Sequence, residues 1–195
     1  MTLLPLRTDQ TLDAADAELE AKEANVARFP RPYLGASAIG KECDRELWLS
    51  FRWARERAMS AKGIKAVADG HHCEALQAER LRLVKGVELY TADPESPDNQ
   101  IGFSRLNGHF KGNLDGVIVG LIQAPKPHVW EHKAVNEKKW RNLFQLVATD
   151  ESSALEHWDM VYFVQAQVYM GAMEIDRHYL TCTTPGGRDV VSVRT

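Results

Sequence analysis

Gly112-Asn113-Leu114-Asp115-Gly116-Val117-Ile118-Val119 is followed by Val129-Trp130-Glu131-His132-Lys133-Ala134, whose glutamate lies sixteen residues after the aspartate. Both stretches read as strands, being short apolar runs next to glycine and proline turns. Side chains alternate faces along a strand, so Glu131 and Lys133 project to one side and His132 to the other. If the two strands pair, Asp115 joins the side of Glu131 and Lys133. Two carboxylates and one ammonium then share a small volume. Carboxylate oxygens are hard ligands that suit Mg2+ or Mn2+, ions that keep several waters and take substrate phosphate. Such a clamp polarises phosphorus and lowers the pKa of an attacking water, and a nearby lysine steadies the charge that develops. Taken alone, Glu-His-Lys reads as a surface salt bridge across a hairpin; it gains meaning from what surrounds it.

Outward from this pair, the chain reads as helices, then strands, then helices, then strands. Residues 128–135 and 87–91 read as strands, 93–99 as a loop, and 102–121 as hairpin strands in two pieces around Gly108 and Gly112. Upstream, Ser37 reads as the N-cap of a helix carrying Ile39, Cys43, Leu47, Trp48 and Phe51. Lys62-Gly63 marks a break before a second helix over 67–84. Downstream, 138–148 and 153–173 have helical patterns, and 178–183 and 190–193 flank Pro185-Gly186-Gly187 as a hairpin. This order predicts an α/β (α+β) domain with a central mixed β-sheet flanked by helices. The chain stops directly after a strand, as if a closing C-terminal helix were missing.

With 195 residues, 44% hydrophobic and 26% charged, the composition is that of an ordinary globular protein. No apolar run approaches the roughly 18 residues of a membrane span, and the start lacks a secretion-signal pattern. Three scattered cysteines, Cys43, Cys73 and Cys182, argue for a reducing compartment, hence a cytoplasmic location (the host's, for a phage protein). The net charge of −3 speaks against a strongly electrostatic nucleic-acid binder, but the charge is uneven. Residues 1–30 hold six acids and three bases, and 31–65 hold eight bases and four acids. We read 1–30 as an acidic arm or helix and 31–195 as the domain proper.

Two more features extend the pattern. Glu74 stands in Gly70-His71-His72-Cys73-Glu74, near the start of the second helix. Gln165 and Tyr169, within Tyr162-Phe163-Val164-Gln165-Ala166-Gln167-Val168-Tyr169, are four apart and share a helix face. Singly, these are a solvent-facing glutamate and a tyrosine packed in a core. The ordered series Glu74, Asp115, Glu131-His132-Lys133, Gln165…Tyr169 resembles the RecB-type branch of the PD-(D/E)XK nuclease superfamily. Ser37-Ala38-Ile39-Gly40-Lys41-Glu42-Cys43-Asp44-Arg45-Glu46-Leu47-Trp48 is similar to the short motif that precedes the core in phage and bacterial members.

The resemblance implies a restriction-endonuclease-like core and a Mg2+- or Mn2+-dependent deoxyribonuclease, an exonuclease of recombination, repair or replication. It implies Asp115, Glu131 and the backbone carbonyl of His132 as metal ligands, with Glu74 completing the site and Lys133 as the catalytic lysine. Gln165 and Tyr169 would support the site and bind DNA. Arg45 and Arg52, on the basic 41–57 helix, would meet phosphates along with Arg55, and His71 would flank the metal or a phosphate. Trp48 and Trp53 would stack on bases, although Trp48 reads rather as core. Leu114 stands where the family name has proline. With Cys182 as the one late cysteine, no four-thiolate iron–sulfur cluster can form, which leaves Cys43 as a small core residue. Zinc at His71-His72-Cys73 is disfavoured because neighbouring helix positions splay by about 100°. A different class stays open: a non-catalytic DNA-binding or partner-recruiting module on the same fold. The sequence names no oligomeric state; a recombination or replication protein is the expected partner besides DNA.

Overall fold

A computed structural model describes residues 9–25, 32–54 and 58–195. In chain order these form α1 (Gln10–Ala24), β1 (Leu34–Gly35), α2 (Asp44–Phe51), α3 (Ala61–Arg82), β2 (Glu88–Tyr90), β3 (Gly102–Arg105), β4 (Phe110–Asn113), β5 (Gly116–Val119) and β6 (His128–Ala134). Then follow α4 (Glu137–Thr149), α5 (Glu151–Trp158), α6 (Met160–Met173), β7 (His178–Thr183) and β8 (Val190–Arg194). Residues 1–8 and 26–30 of the acidic segment, and Arg31, Arg55 and Arg57 of the basic one, lie outside the described residues.

The strands make two mixed sheets, one in the order β2-β5-β6-β7-β8 and a smaller one in the order β1-β4-β3. In the larger sheet β6 and β7 run parallel and the other neighbours antiparallel. β6 is its spine, with His128 to His132 all buried. Its alternation is used on both faces, as an interior strand requires. Trp130 packs under Ala78 and Leu81 of α3, with Leu89, Ile118 and Leu121. The opposite face, through Leu180, Cys182, Val191 and Val193, receives Leu143, Leu155, Trp158 and Ala166 of the three later helices. Fold class therefore matches the α+β expectation.

Several local expectations are corrected. Ser37 caps no long helix: Ala36–Ala38 is a 3-10 turn and α2 starts only at Asp44. The reason is close packing, because a Cβ on Gly40 would lie 2.7 Å from the Val161 Cα of α6, holding the chain against that helix. α2 then turns Leu47 and Phe51 inward, so Cys43 and Trp48 are exposed and neither is core; Trp48 is 59% accessible. Lys62-Gly63 is no break, since Ser60 caps α3 through Gly63 N (3.3 Å) and the glycine lies in its first turn. The 153–173 stretch is two helices, because the Asp159 carboxylate accepts from Val161 N (3.0 Å) and Tyr162 N (3.2 Å) and so opens α6 anew. α1 lies on α3, with Glu20 accepting from Ala61 N at 2.7 Å and Asp16 paired with Lys65. Among the described residues no helix is long and apolar enough to cross a membrane.

A buried histidine of this sheet is left without a partner. His178 on β7 is 1% exposed, neither ring nitrogen is hydrogen-bonded, and burial depresses its pKa to about 3. The unfolded chain binds that proton near pH 6.5, so the histidine stabilises the fold above that value and ceases to as pH falls toward 3. We therefore expect His178→Leu to flatten the loss of stability on acidification. Between about pH 6.5 and 4.5 its unfolding free energy from urea titration should fall less than wild type's, by up to about 1.4 kcal/mol per pH unit; parallel curves would contradict this.

Candidate active site

The switch between sheets creates the site. β4 belongs to the small sheet and β5 to the large one, and Leu114-Asp115 is the link between them. Gly116 is paired with Trp130, so Asp115 stands one step beyond the last β5–β6 pair, beside Glu131. There it replaces the missing strand: Asp115 Oδ2 accepts from His132 N at 2.7 Å. In an extended strand the N–H and C=O of one residue point to the same edge, so the His132 carbonyl faces this gap as well.

Glu131 is 4% exposed. Its Oε1 accepts from Lys133 Nζ and from Gln165 Nε2 (2.9 Å), whereas its Oε2 is buried with no hydrogen-bond partner. Gln165 Nε2 also reaches the Tyr169 hydroxyl at 3.1 Å, which donates to the Asn113 carbonyl at 2.8 Å. One face of α6 thus grips both the Glu131 carboxylate and the end of β4, just before Asp115. On the other side of β6, His132 points away from the acids. Its ring nitrogens lie 3.0 Å from Thr181 Oγ1 and 3.3 Å from Thr183 Oγ1, and burial, then Lys133, lowers its pKa to about 4.

The electrostatics are those of an anionic pocket short of cations. Burial, reinforced by Asp115, pushes the Glu74 carboxyl on α3 up to about 7. Burial drives Glu131 up to about 7 against the pull of Lys133, and raises Asp115 against Lys133 and the His132 N–H. Burial also works against the Lys133 ammonium, but Glu131 and Asp115 outweigh it and hold that group above the ordinary lysine value. Desolvated, mutually repelling carboxylates with an unpartnered buried oxygen fit a hard divalent cation. The cage is open, however: among the described residues no three His, Cys, Asp or Glu side chains stand ready to enclose an ion. Asp115 and Glu131 are adjacent, and Glu74 acts on them only through its charge.

The structure therefore brings Asp115, Glu131, Lys133, Gln165 and Tyr169 together. His71 is at the rim, with its side chain 78% exposed and Nδ1 4.0 Å from Glu74 Oε2. Arg45 and Arg52 are apart from the acids, on α2 beside β1, and share an exposed face with Trp48. The Arg52 guanidinium sits 5.9 Å above the Trp48 ring. Sequence reasoning passed over Tyr162 and Lys139. Lys133 Nζ lies 5.2 Å and Lys139 Nζ 4.6 Å from the centre of the Tyr162 ring. The available signal was spacing, since Tyr162 precedes Gln165 by three and Tyr169 by seven.

No protein-family model matches the chain, and no curated protein does. Among solved structures it is similar to an alkaline exonuclease (LHK-Exo) from Laribacter hongkongensis. That likeness has a TM-score of 0.54 at 13% identity, over 85% of this chain and 77% of the other. It is also similar to a protein named SSO0001, with a TM-score of 0.51 at 12% identity, over 94% of this chain and 77% of that one. At such identities the likeness is one of fold.

Carboxyls raised by folding contribute stability that is complete below about pH 4.5 and lost as pH rises through about 7. Millimolar Mn2+ should accordingly raise the melting temperature by about 5 °C near pH 8, and by clearly less near pH 6. Calorimetry checks this; a melting temperature indifferent to the metal at both pH values would contradict it.

Proposed function

We propose that this chain is a Mg2+- or Mn2+-dependent DNA nuclease, an exonuclease that serves recombination, repair or replication. The observation that carries the reading is the buried, unpartnered Oε2 of Glu131 beside Asp115, with Lys133 bound to the other oxygen of the same carboxylate. The fold likeness to an alkaline exonuclease supports it. Asp115, Glu131 and the His132 carbonyl would hold the ion, with Glu74 on the α3 side. When bound, the ion supplies polarisation of the phosphodiester and acidification of the attacking water. Lys133 offers a fixed positive charge to the oxygens that gain negative charge at phosphorus. Gln165 keeps the Glu131 carboxylate oriented, and Tyr169 fixes the strand end that presents Asp115. The exposed arginines Arg45 and Arg52, and His71 at the rim, would contact phosphates along the strand. We read the working compartment as cytoplasmic and the protein partner as a recombination or replication factor.

A second reading, a DNA-binding or partner-recruiting module that no longer cuts, is favoured by one observation: among the described residues no three His, Cys, Asp or Glu side chains are grouped to hold an ion. Labelled linear and closed-circular DNA with Mn2+ separate the two. The nuclease reading expects linear DNA to be degraded and circles to survive, and Glu131→Gln or Lys133→Met to lower the rate by about 100-fold or more. Wild-type rates in both variants would remove the site assignment. Tight binding in chelator without cleavage in Mn2+ would establish the second reading.

A further inference from the structure

The first turn of α6 holds a group that the acid–lysine–glutamine arrangement does not use. Tyr162, Gln165 and Tyr169 lie at i, i+3 and i+7, hence on one face of the helix. Gln165 and Tyr169 hold the Glu131 carboxylate and the end of β4. Tyr162, one turn earlier, puts its ring 5.2 Å from Lys133 Nζ. The ring is held in place from the side by Trp158, centroid to centroid 5.4 Å, and by Lys139 Nζ at 4.6 Å. Lys139 is itself fixed by Asp159 Oδ2 at 2.5 Å and by the Trp158 ring at 4.9 Å. Asp159 balances the Lys139 charge, so the second ammonium adds little repulsion against the first.

We propose that Tyr162 is a positioning residue for Lys133, its ring face holding the ammonium beside Glu131 and Asp115 by a cation–π contact. The proposal rests on the nuclease reading for its kinetic consequence, but not for the contact itself. Lys133 has two kinds of neighbour, the carboxylates and this ring. The carboxylates are the groups a divalent cation would claim, and such a cation would also repel the ammonium. The ring has no charge to give up. Its attraction comes from a fixed quadrupole, so it keeps the lysine in place when Glu131 turns its charge elsewhere. Hydroxyl chemistry is not required, and a phenylalanine should serve as well.

Two measurements test this. In metal-free protein labelled with 13C-lysine, the ε-methylene protons of Lys133 should show an upfield ring-current shift in wild type and Tyr162→Phe, lost in Tyr162→Leu. In Mn2+-dependent hydrolysis of linear DNA, Tyr162→Phe should keep kcat within about twofold and Tyr162→Leu should lose about 10-fold, with KM for DNA unchanged. Phenylalanines carrying one, two and three fluorines at position 162 should lower kcat in graded steps as the ring quadrupole weakens. If Tyr162 only fills space between α5 and α6, leucine and the fluorinated rings leave kcat per folded molecule unchanged, and the proposal is overturned. An absent ring-current shift overturns it without reference to cleavage. Wild type that cuts no DNA while showing the shift would instead overturn the nuclease reading and, with it, the positioning role, leaving only the contact.

Discussion

A carboxylate held almost fully out of water is the constraint around which this molecule is arranged. Burying an ionised glutamate without compensation costs several kcal/mol or drives it to take up a proton. Glu131 sits on the spine of the larger sheet and is compensated on one oxygen only, by Lys133 and Gln165. The second oxygen has no partner, and its neighbour Asp115 is also an acid. Such an arrangement is expensive for folding and makes sense as a place prepared for a cation. It is the kind of stability sacrifice that sites of chemistry carry.

The remaining architecture serves that carboxylate from several directions. Because β5 begins only at Gly116, an edge of β6 is left unpaired, and the chain's crossing between sheets delivers Asp115 into the gap. The parallel β6–β7 pair supplies Thr181, which accepts from Trp130 Nε1 at 3.0 Å and engages His132, so the strand cannot rotate. The tight hairpin after β7 ties α3 down. Arg80 Nη1 donates to the Gly187 carbonyl at 2.5 Å and Gly186 N to Asp69 Oδ1 at 3.3 Å, on the helix that carries Glu74. Gly187 has φ +68°, and a side chain there would meet Leu76, so glycine is what lets the hairpin approach the helix.

What could be read from the sequence follows from how local each rule is. Strand alternation is a property of the backbone alone, so the shared side of Glu131 and Lys133 needed no tertiary knowledge. The spacing of Gln165 and Tyr169 is equally local. Which side of a helix gets covered is decided elsewhere: α2 is eight residues long, and its inner face is selected by β1 and His109, leaving Trp48 outside. Tyr162 was hidden because α6 is apolar on nearly every side, so a tyrosine there looks like core. Asp159 was legible in principle, as an acid immediately before an apolar run, but a continuous helix had a pattern just as good. Where Glu74 comes to lie relative to the other acids depends on how α3 is placed against the sheet, which no local rule specifies.

The central claim is that Glu131 Oε2 and Asp115 are a cation site. Anomalous diffraction from a crystal of the protein soaked in Mn2+ tests it most directly. The account predicts one strong peak coordinated by Asp115, Glu131 Oε2 and the His132 carbonyl, with Glu74 drawn toward it. A soaked crystal with no peak there, or with manganese only at surface carboxylates while Glu131 Oε2 stays without a partner, would contradict it.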